Sequence, residues 1–308
     1  MQFSSNMARR QKKACLINGL LLLITPLISN PANANDDNWE LNLSLSFLYN
    51  KYIDRPLLGY SHEYGLLFDG LYHRRMGFRA GYNQLSIPVS GPYPDFEQHT
   101  IYLSTYTNLS PGKETGNYYL QLSGFRIDDN ETDSRNEVRI IEPKLIFSPA
   151  HKQYLLSATY AKSVYPDDFF VQQRTQTAGL ALNKGNDWLK LSNIDISASD
   201  AHRAHERGRN HAVMASWSHY WNSKRAFGLK SIEATVMHGD NTYYVDGDSQ
   251  IVNNFSDLQT ARYSLATNWR LWDKLGILLV AGESHFTTDL TNINYTKRFL
   301  FIKLNMPY

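Results

Sequence analysis

The chain has a single cysteine, Cys15, and no long apolar run beyond its first thirty or so residues. One cysteine excludes an intramolecular disulfide and any cluster of Cys ligands around a metal. Neither sign of charge dominates, since 31 Lys and Arg stand against 29 Asp and Glu. That balance implies no strongly acidic or basic partner, and in particular no nucleic acid. Nucleotide loops, catalytic triad signatures, internal repeats and low-complexity linkers are also missing. After residue 34 nothing approaches the roughly 20 apolar residues that a membrane-spanning helix requires. Mean hydropathy is −0.44, which would suit a soluble protein. A chain crossing a bilayer with strands is also polar on average, because only every second residue of its short strands is apolar.

What is present begins with a leader pattern. Arg9, Arg10, Lys12 and Lys13 precede a mostly apolar stretch from Ala14 to Ile28, and Ala32-Asn33-Ala34 supplies a small-x-small cleavage site. We expect a signal peptide over 1–34 and one domain over 35–308. Asn18, Gly19 and Pro26 interrupt the apolar stretch, which argues against a retained anchor. Cys15 lies before the apolar core, so lipidation is not expected. Cleavage would remove the cysteine and four basic residues, leaving 31 − 4 = 27 Lys and Arg against 29 Asp and Glu.

The remainder reads in period two. About fourteen segments alternate, near 39–49, 59–69, 76–84, 98–107, 118–127, 137–147, 153–161, 172–183, 187–197, 211–221, 228–238, 259–270, 276–286 and 296–308. In the first, Trp39, Leu41, Leu43, Leu45, Phe47 and Tyr49 alternate with Glu40, Asn42, Ser44 and Ser46. The connections alternate too. Short links at 73–75, 148–151, 183–186, 222–225 and 273–276 separate longer polar loops at 85–97, 128–136, 162–171, 199–210 and 239–258. The link 108–117 is longer, but Pro111, Gly112 and Gly116 permit a compact reversal. Aromatics are plentiful, with 20 Tyr, 14 Phe and 6 Trp, as interfacial girdles require.

The last segment places Leu300, Ile302, Leu304, Met306 and Tyr308 on one face and ends the chain on an aromatic residue. This resembles the closing strand of bacterial outer-membrane β-barrel proteins, although Phe or Trp is usual where Tyr308 stands. The resemblance implies an all-β fold, a transmembrane antiparallel up-and-down barrel of about 14 strands (12–16). It also implies the outer membrane as location, with its lipid and lipopolysaccharide as surroundings. The barrel assembly machinery would read the terminal alternation, and a periplasmic partner is a further expectation.

The faces opposite the apolar ones carry Glu40, Glu63, Asp69, Arg79, Glu142, Lys144, Lys190, Glu233, Arg262, Arg270, Glu283 and Lys303. In a barrel these would line the lumen. About eight strands are filled by side chains and sixteen leave an aqueous channel, so fourteen implies a narrow or partly blocked pore. Mixed charge signs argue against a strongly ion-selective ring. Two outer loops stand out. Residues 200–211 gather His202, His205, Arg207, Arg209 and His211, types that suit phosphates of neighbouring lipopolysaccharide or, less well, a divalent metal. No metal or cofactor is assigned. The loop 239–258 carries Tyr243, Tyr244, Val245, Ile251, Val252 and Phe255, enough apolar surface to fold inward or bind a partner.

Catalysis finds little support. In Ser61-His62, Ser218-His219 and Ser284-His285 the serine and histidine are adjacent, so on a strand they face opposite sides of the wall. Glu283 and His285 share a face, which suits a simple hydrogen bond. The leading expectation is therefore a channel for small solutes or an exit conduit of an envelope pathway. The alternative is an accessory barrel for assembly or export of a surface protein or polysaccharide, and a barrel enzyme is the least supported.

Overall fold

The computed structural model describes residues 39–307 except 56, 74, 92–93, 110–115, 131–136, 150–152, 202–207, 222–227, 249–250, 253–256, 273 and 289–292. The expected signal peptide over 1–34 and the terminal Tyr308 lie outside the described residues. Fourteen antiparallel strands close into one barrel. They are β1 (Trp39–Ile53), β2 (Tyr60–Tyr72), β3 (Met76–Ile87), β4 (Phe96–Asn108), β5 (Asn117–Asp129), β6 (Glu137–Ser148), β7 (Tyr154–Val164), β8 (Phe170–Leu182), β9 (Asp187–Ala198), β10 (Arg209–Tyr220), β11 (Gly228–Asn241), β14 (Leu258–Trp272), β15 (Leu275–Thr287) and β16 (Asn294–Pro307). Between β11 and β14 a separate hairpin is formed by β12 (Val245–Asp246) and β13 (Ile251–Val252). Each barrel strand pairs with its neighbour in the chain, and β1 pairs with β16 from Asn42↔Pro307 to Ile53↔Thr296. Closure leaves no sheet edge for lipid or another chain to meet.

Each alternating segment seen in the sequence is a strand, but the strands run longer, from 11 residues in β7 to 15 in β1 and β14. Crossing the hydrocarbon needs about 9–11. Much of the surplus lies at the long-loop end, so the connections there shorten. The one expected over 162–171, for example, spans only 165–169. We take the short-turn end as periplasmic and the long-loop end as extracellular.

The two ends obey opposite rules. Toward the turns, Leu120, Leu122, Leu145, Leu156, Leu180, Leu189, Leu191, Trp217 and Leu265 point outward and are exposed, forming the band that lipid covers. The inward positions there are mostly polar, apart from a strip at Leu48, Val280 and Phe301. Ser123 donates to Ser104 (3.1 Å), Ser44 to Asn305 (2.9 Å), and Thr177 and Ser192 share a bond of 2.8 Å. Aromatic contacts mark both margins of the band: Tyr118 with Phe147 and Phe147 with Tyr154 at one, Tyr49 with Tyr60 and Phe47 with Tyr64 at the other.

Toward the loops the pattern inverts. Phe125, Ile127, Val138, Ile140, Val171, Ile194, Ile196, Ala212 and Met237 point inward and form one buried apolar cluster. The outward positions there are Arg126, Asp128, Glu137, Arg139, Arg174, Asp195 and His211, a polar collar that water can solvate. The change of phase is not a change of register. On β5 it falls at Gly124, between outward Leu122 and inward Phe125, and pairing with β6 continues unbroken from Asn117↔Ser148 to Asp128↔Glu137.

Candidate functional site

What fills the extracellular half is the segment of residues 242–248, which turns into the barrel after β11. Its entry is set by a bulge where the β11–β14 register shifts between His238 and Asn241. A bulge bends its strand and redirects the residues beyond it. Gly239 sits there with φ +117°, and a Cβ on it would lie 2.5 Å from the His211 carbonyl oxygen. No other residue type fits that approach. Asn210 Nδ2 then donates to Thr242 Oγ1 (2.8 Å), and Tyr243 takes the left-handed region at φ 52°. A non-glycine residue there costs of order 1–3 kcal/mol; burial of its ring offsets the strain.

Tyr243 is 2% exposed and meets Tyr165 and Phe169 from the β7–β8 loop, with ring centroids 5.4 and 5.5 Å away. Those two rings are 4.9 Å apart, and Tyr165 N–H donates to the Phe169 carbonyl (2.9 Å) to close the loop beneath them. Tyr244 and Val245 join the same core. Burial, and after it the Asp246 carboxylate, pushes the Tyr244 phenol up, so it stays uncharged.

The segment docks first on β8, three strands round from β11. Val245 N–H donates to Gln173 Oε1 (2.9 Å) while Gln173 Nε2 donates to the Val245 carbonyl (2.8 Å). One amide side chain thus stands in for a strand partner. Farther round, Tyr102 Oη donates to the Gly247 carbonyl (3.0 Å) and Gly247 N–H donates to Glu142 Oε2 (3.3 Å). Glu142 is 2% exposed. A Cβ on Gly247 would fall 2.2 Å from Glu142 Oε1 and 3.1 Å from Ser123 Oγ. Lys144 pairs with Asp248, and Asp248 N–H donates to Asp246 Oδ1 (3.0 Å). By strand order β4, β5 and β6 lie across the ring from β11 and β14, whereas β8 is three strands from β11, so residues 242–248 run from the β11 side to the far wall. Just before β14, Asp257 pairs with Arg55, and Tyr295 Oη donates to Asp257 Oδ2 (2.8 Å).

Register and alternation place most of the expected lumen residues inward. Arg79 pairs with Asp69, which accepts from Asn42 (2.8 Å), and Glu40 shares the face of Asn42. Lys144 and Glu142 oppose buried Gln121 and Ser123; Lys190 opposes Gly179, Glu233 opposes buried Ser218, and Arg262 opposes buried Met237. Lys303 opposes Ser46, Glu63 follows buried Ser61 by two, and Arg270 follows Asn268 by two. Glu283 departs from this set. It pairs with Tyr263 and Arg298 on the outer face, accepts from Arg298 Nε (2.8 Å) and lies 3.2 Å from His285 Nε2. Its place in the collar, above the apolar band, makes an outward charge inexpensive, whereas a charge placed by the need to avoid lipid would be inward.

The three Ser-His pairs split as strand geometry demands. Ser61, Ser218 and Ser284 are buried on the inner side, while His62, His219 and His285 meet outward Tyr64, Trp217 and Tyr263. In the histidine-rich loop, His202, His205 and Arg207 lie outside the described residues. Arg209 begins β10, and His211 Nε2 contacts Asn193 Oδ1 (2.5 Å) in the collar. Among the described residues no three metal-ligating side chains converge. Leu300, Ile302, Leu304 and Met306 face outward on β16, opposite Tyr49, Phe47, Leu45 and Leu43 of β1.

The latch residues Gln173, Tyr102 and Gly247 escape the sequence reading, and so does the inward apolar set. A signal existed: in β9 the apolar positions move from Leu189 and Leu191 to Ile194 and Ile196, and in β5 from Leu120 and Leu122 to Phe125 and Ile127. Averaged over a whole strand, such a switch looks like weak alternation.

No family model matches the sequence, and no curated protein matches it. Solved structures do resemble the fold. The toluene transporter TodX of P. putida superposes with TM-score 0.50 at 8% identity, covering 91% of this chain and 93% of that one. A TodX deltaS2S3 mutant described as a monoaromatic hydrocarbon channel gives 0.51 at 9%, with the same coverage. A bacterial polysaccharide outer membrane secretin gives 0.51 at 8%, covering 88% and 98%. At such identities the likeness carries the fold alone: this chain is an antiparallel barrel of the bacterial outer-membrane type.

Proposed function

We propose that the chain is an outer-membrane channel for small solutes, closed at its extracellular mouth by the segment of residues 242–248. The observation that carries this is the latch of that segment on the wall, at Gln173 of β8 and, farther round, at Glu142 of β6. The periplasmic half suits passage, since its inward Asp69, Arg79, Lys190, Glu233, Arg270 and Lys303 are partly exposed within a polar wall. Opening requires release of the latch rather than of the wall, because the contacts lie between side chains of the barrel and one segment.

Liposome swelling tests this. Gln173→Ala combined with Glu142→Ala should admit arabinose several-fold faster than the unchanged barrel; equal rates for two folded proteins would count against it. A second reading is an export conduit, favoured by the asymmetry itself: a polar cup facing the periplasm and a shut outer mouth suit cargo that opens the latch from within. Solute entry through the unlatched barrel with no loss of surface polysaccharide or surface protein in a deletion strain would favour the channel.

A further inference from the structure

Away from the latch, two cations share one stretch of the inner wall. The pairs Arg262↔Ser284 and Ser284↔Lys297 set them in a single inward row across β14, β15 and β16, about 10 Å apart at the backbone, from two strand spacings. Each lies against a ring. The Arg262 guanidinium is 5.1 Å from the Phe299 centroid, and the Lys297 ammonium 5.0 Å from that of Phe286, which stacks on Tyr295 at 5.1 Å.

Counter-charge is short. Among the described residues neither cation has a hydrogen bond or an ion pair, and Arg262 Nε is buried without a partner. The carboxylates that act on Lys297 are Glu63 and Asp257. Asp257 is taken by Arg55 and Tyr295, and Glu63, although its charge acts on Lys297, forms no ion pair with either cation among the described residues. Two like charges held together beside an orphaned donor need an explanation, and an anion between them supplies one. Guanidinium and carboxylate are well matched in shape.

The surroundings describe the rest of the ligand. The Phe299 ring reaches over Gly282, where a Cβ would come within 2.4 Å of it. Next along the wall toward the turns, Phe301 pairs with Val280 and with Leu48, giving an apolar strip on the inward face. Inorganic ions would have no use for it.

We propose that this wall binds small organic carboxylates, the carboxylate between Arg262 and Lys297 and the apolar body along Phe299 and Phe301. The site does not depend on conduction, so it can be tested in the folded barrel in detergent whether or not the mouth opens. Calorimetric titration at low salt would use benzoate, acetate and inorganic phosphate. Saturable benzoate binding is expected, at least tenfold tighter than acetate or phosphate. Arg262→Met and Lys297→Met should each weaken it about tenfold or more, and Phe301→Ser should weaken benzoate while leaving acetate unchanged. The proposal is overturned by absence of benzoate binding, by unchanged affinity in both Met variants, or by acetate or phosphate binding as well as benzoate. Should one Met variant fail to fold, the other and Phe301→Ser still decide.

Discussion

On the turn side of β9, Leu189 and Leu191 face lipid while Lys190 and Ser192 face the lumen; three residues on, Ile194 and Ile196 face inward and Asp195 faces out. The backbone is continuous through both halves, and the same alternation serves opposite environments. Near the periplasm the outside is hydrocarbon and the inside wet. Near the surface the outside is water and the inside is a core built around Tyr243, Tyr244 and Val245. In its upper half the barrel is therefore stabilised as a soluble β-protein is, by interior apolar contact, and in its lower half as a membrane protein is, by an apolar exterior. The crossing segment belongs to the upper half, and its hold on the mouth should respond to the substitutions that loosen a soluble core.

Substitutions that strike one half and spare the other would break this contrast. The largest effect is expected for Tyr243→Ala, which empties the centre of the upper core and should cost about 3–5 kcal/mol by analogy with other buried aromatic truncations, read as a lower urea midpoint. Next, Leu191→Arg should cost about 2–4 kcal/mol in folding into vesicles, whereas Asp195→Arg, on the same face but in the collar, should cost about 0–1. Equal penalties would show that the lipid band extends to Asp195. Gly247→Val should be milder, about 1–3 kcal/mol of overpacking against Glu142 and Ser123, and should appear as brief opening events more than as lost stability. Smallest is Glu283→Gln, whose exposed partner Arg298 limits the change to below about 1 kcal/mol. A much larger loss would place Glu283 in the lumen after all.

The strands were legible because lipid enforces a strict pattern over much of each one, and the chain order of short turns and longer loops follows from antiparallel crossing. The C-terminal alternation from Leu300 to Met306 was equally plain, since its partner face on β1 is also apolar. Less was legible where the environment changes along a strand. Sequence alone sets Glu283 inward because a charge must avoid hydrocarbon, a rule that lapses once the strand has left the membrane. The role of Gln173 could not be seen, because its partner is a backbone group 72 residues away, and a backbone contact leaves no mark in the composition of either segment. The apolar content of 239–258 did signal burial, yet not where; Gly239 and Tyr243, whose φ angles aim the segment inward, acquire meaning only once the bulge is known.

Conductance in planar bilayers, for the intact barrel and for one lacking 243–254, tests most directly whether the crossing segment closes the mouth. Silence or rare brief openings from the intact protein, with stable steps from the deleted one, is the expected result. Stable steps of the same size from both, or silence from both when each is folded, would contradict it.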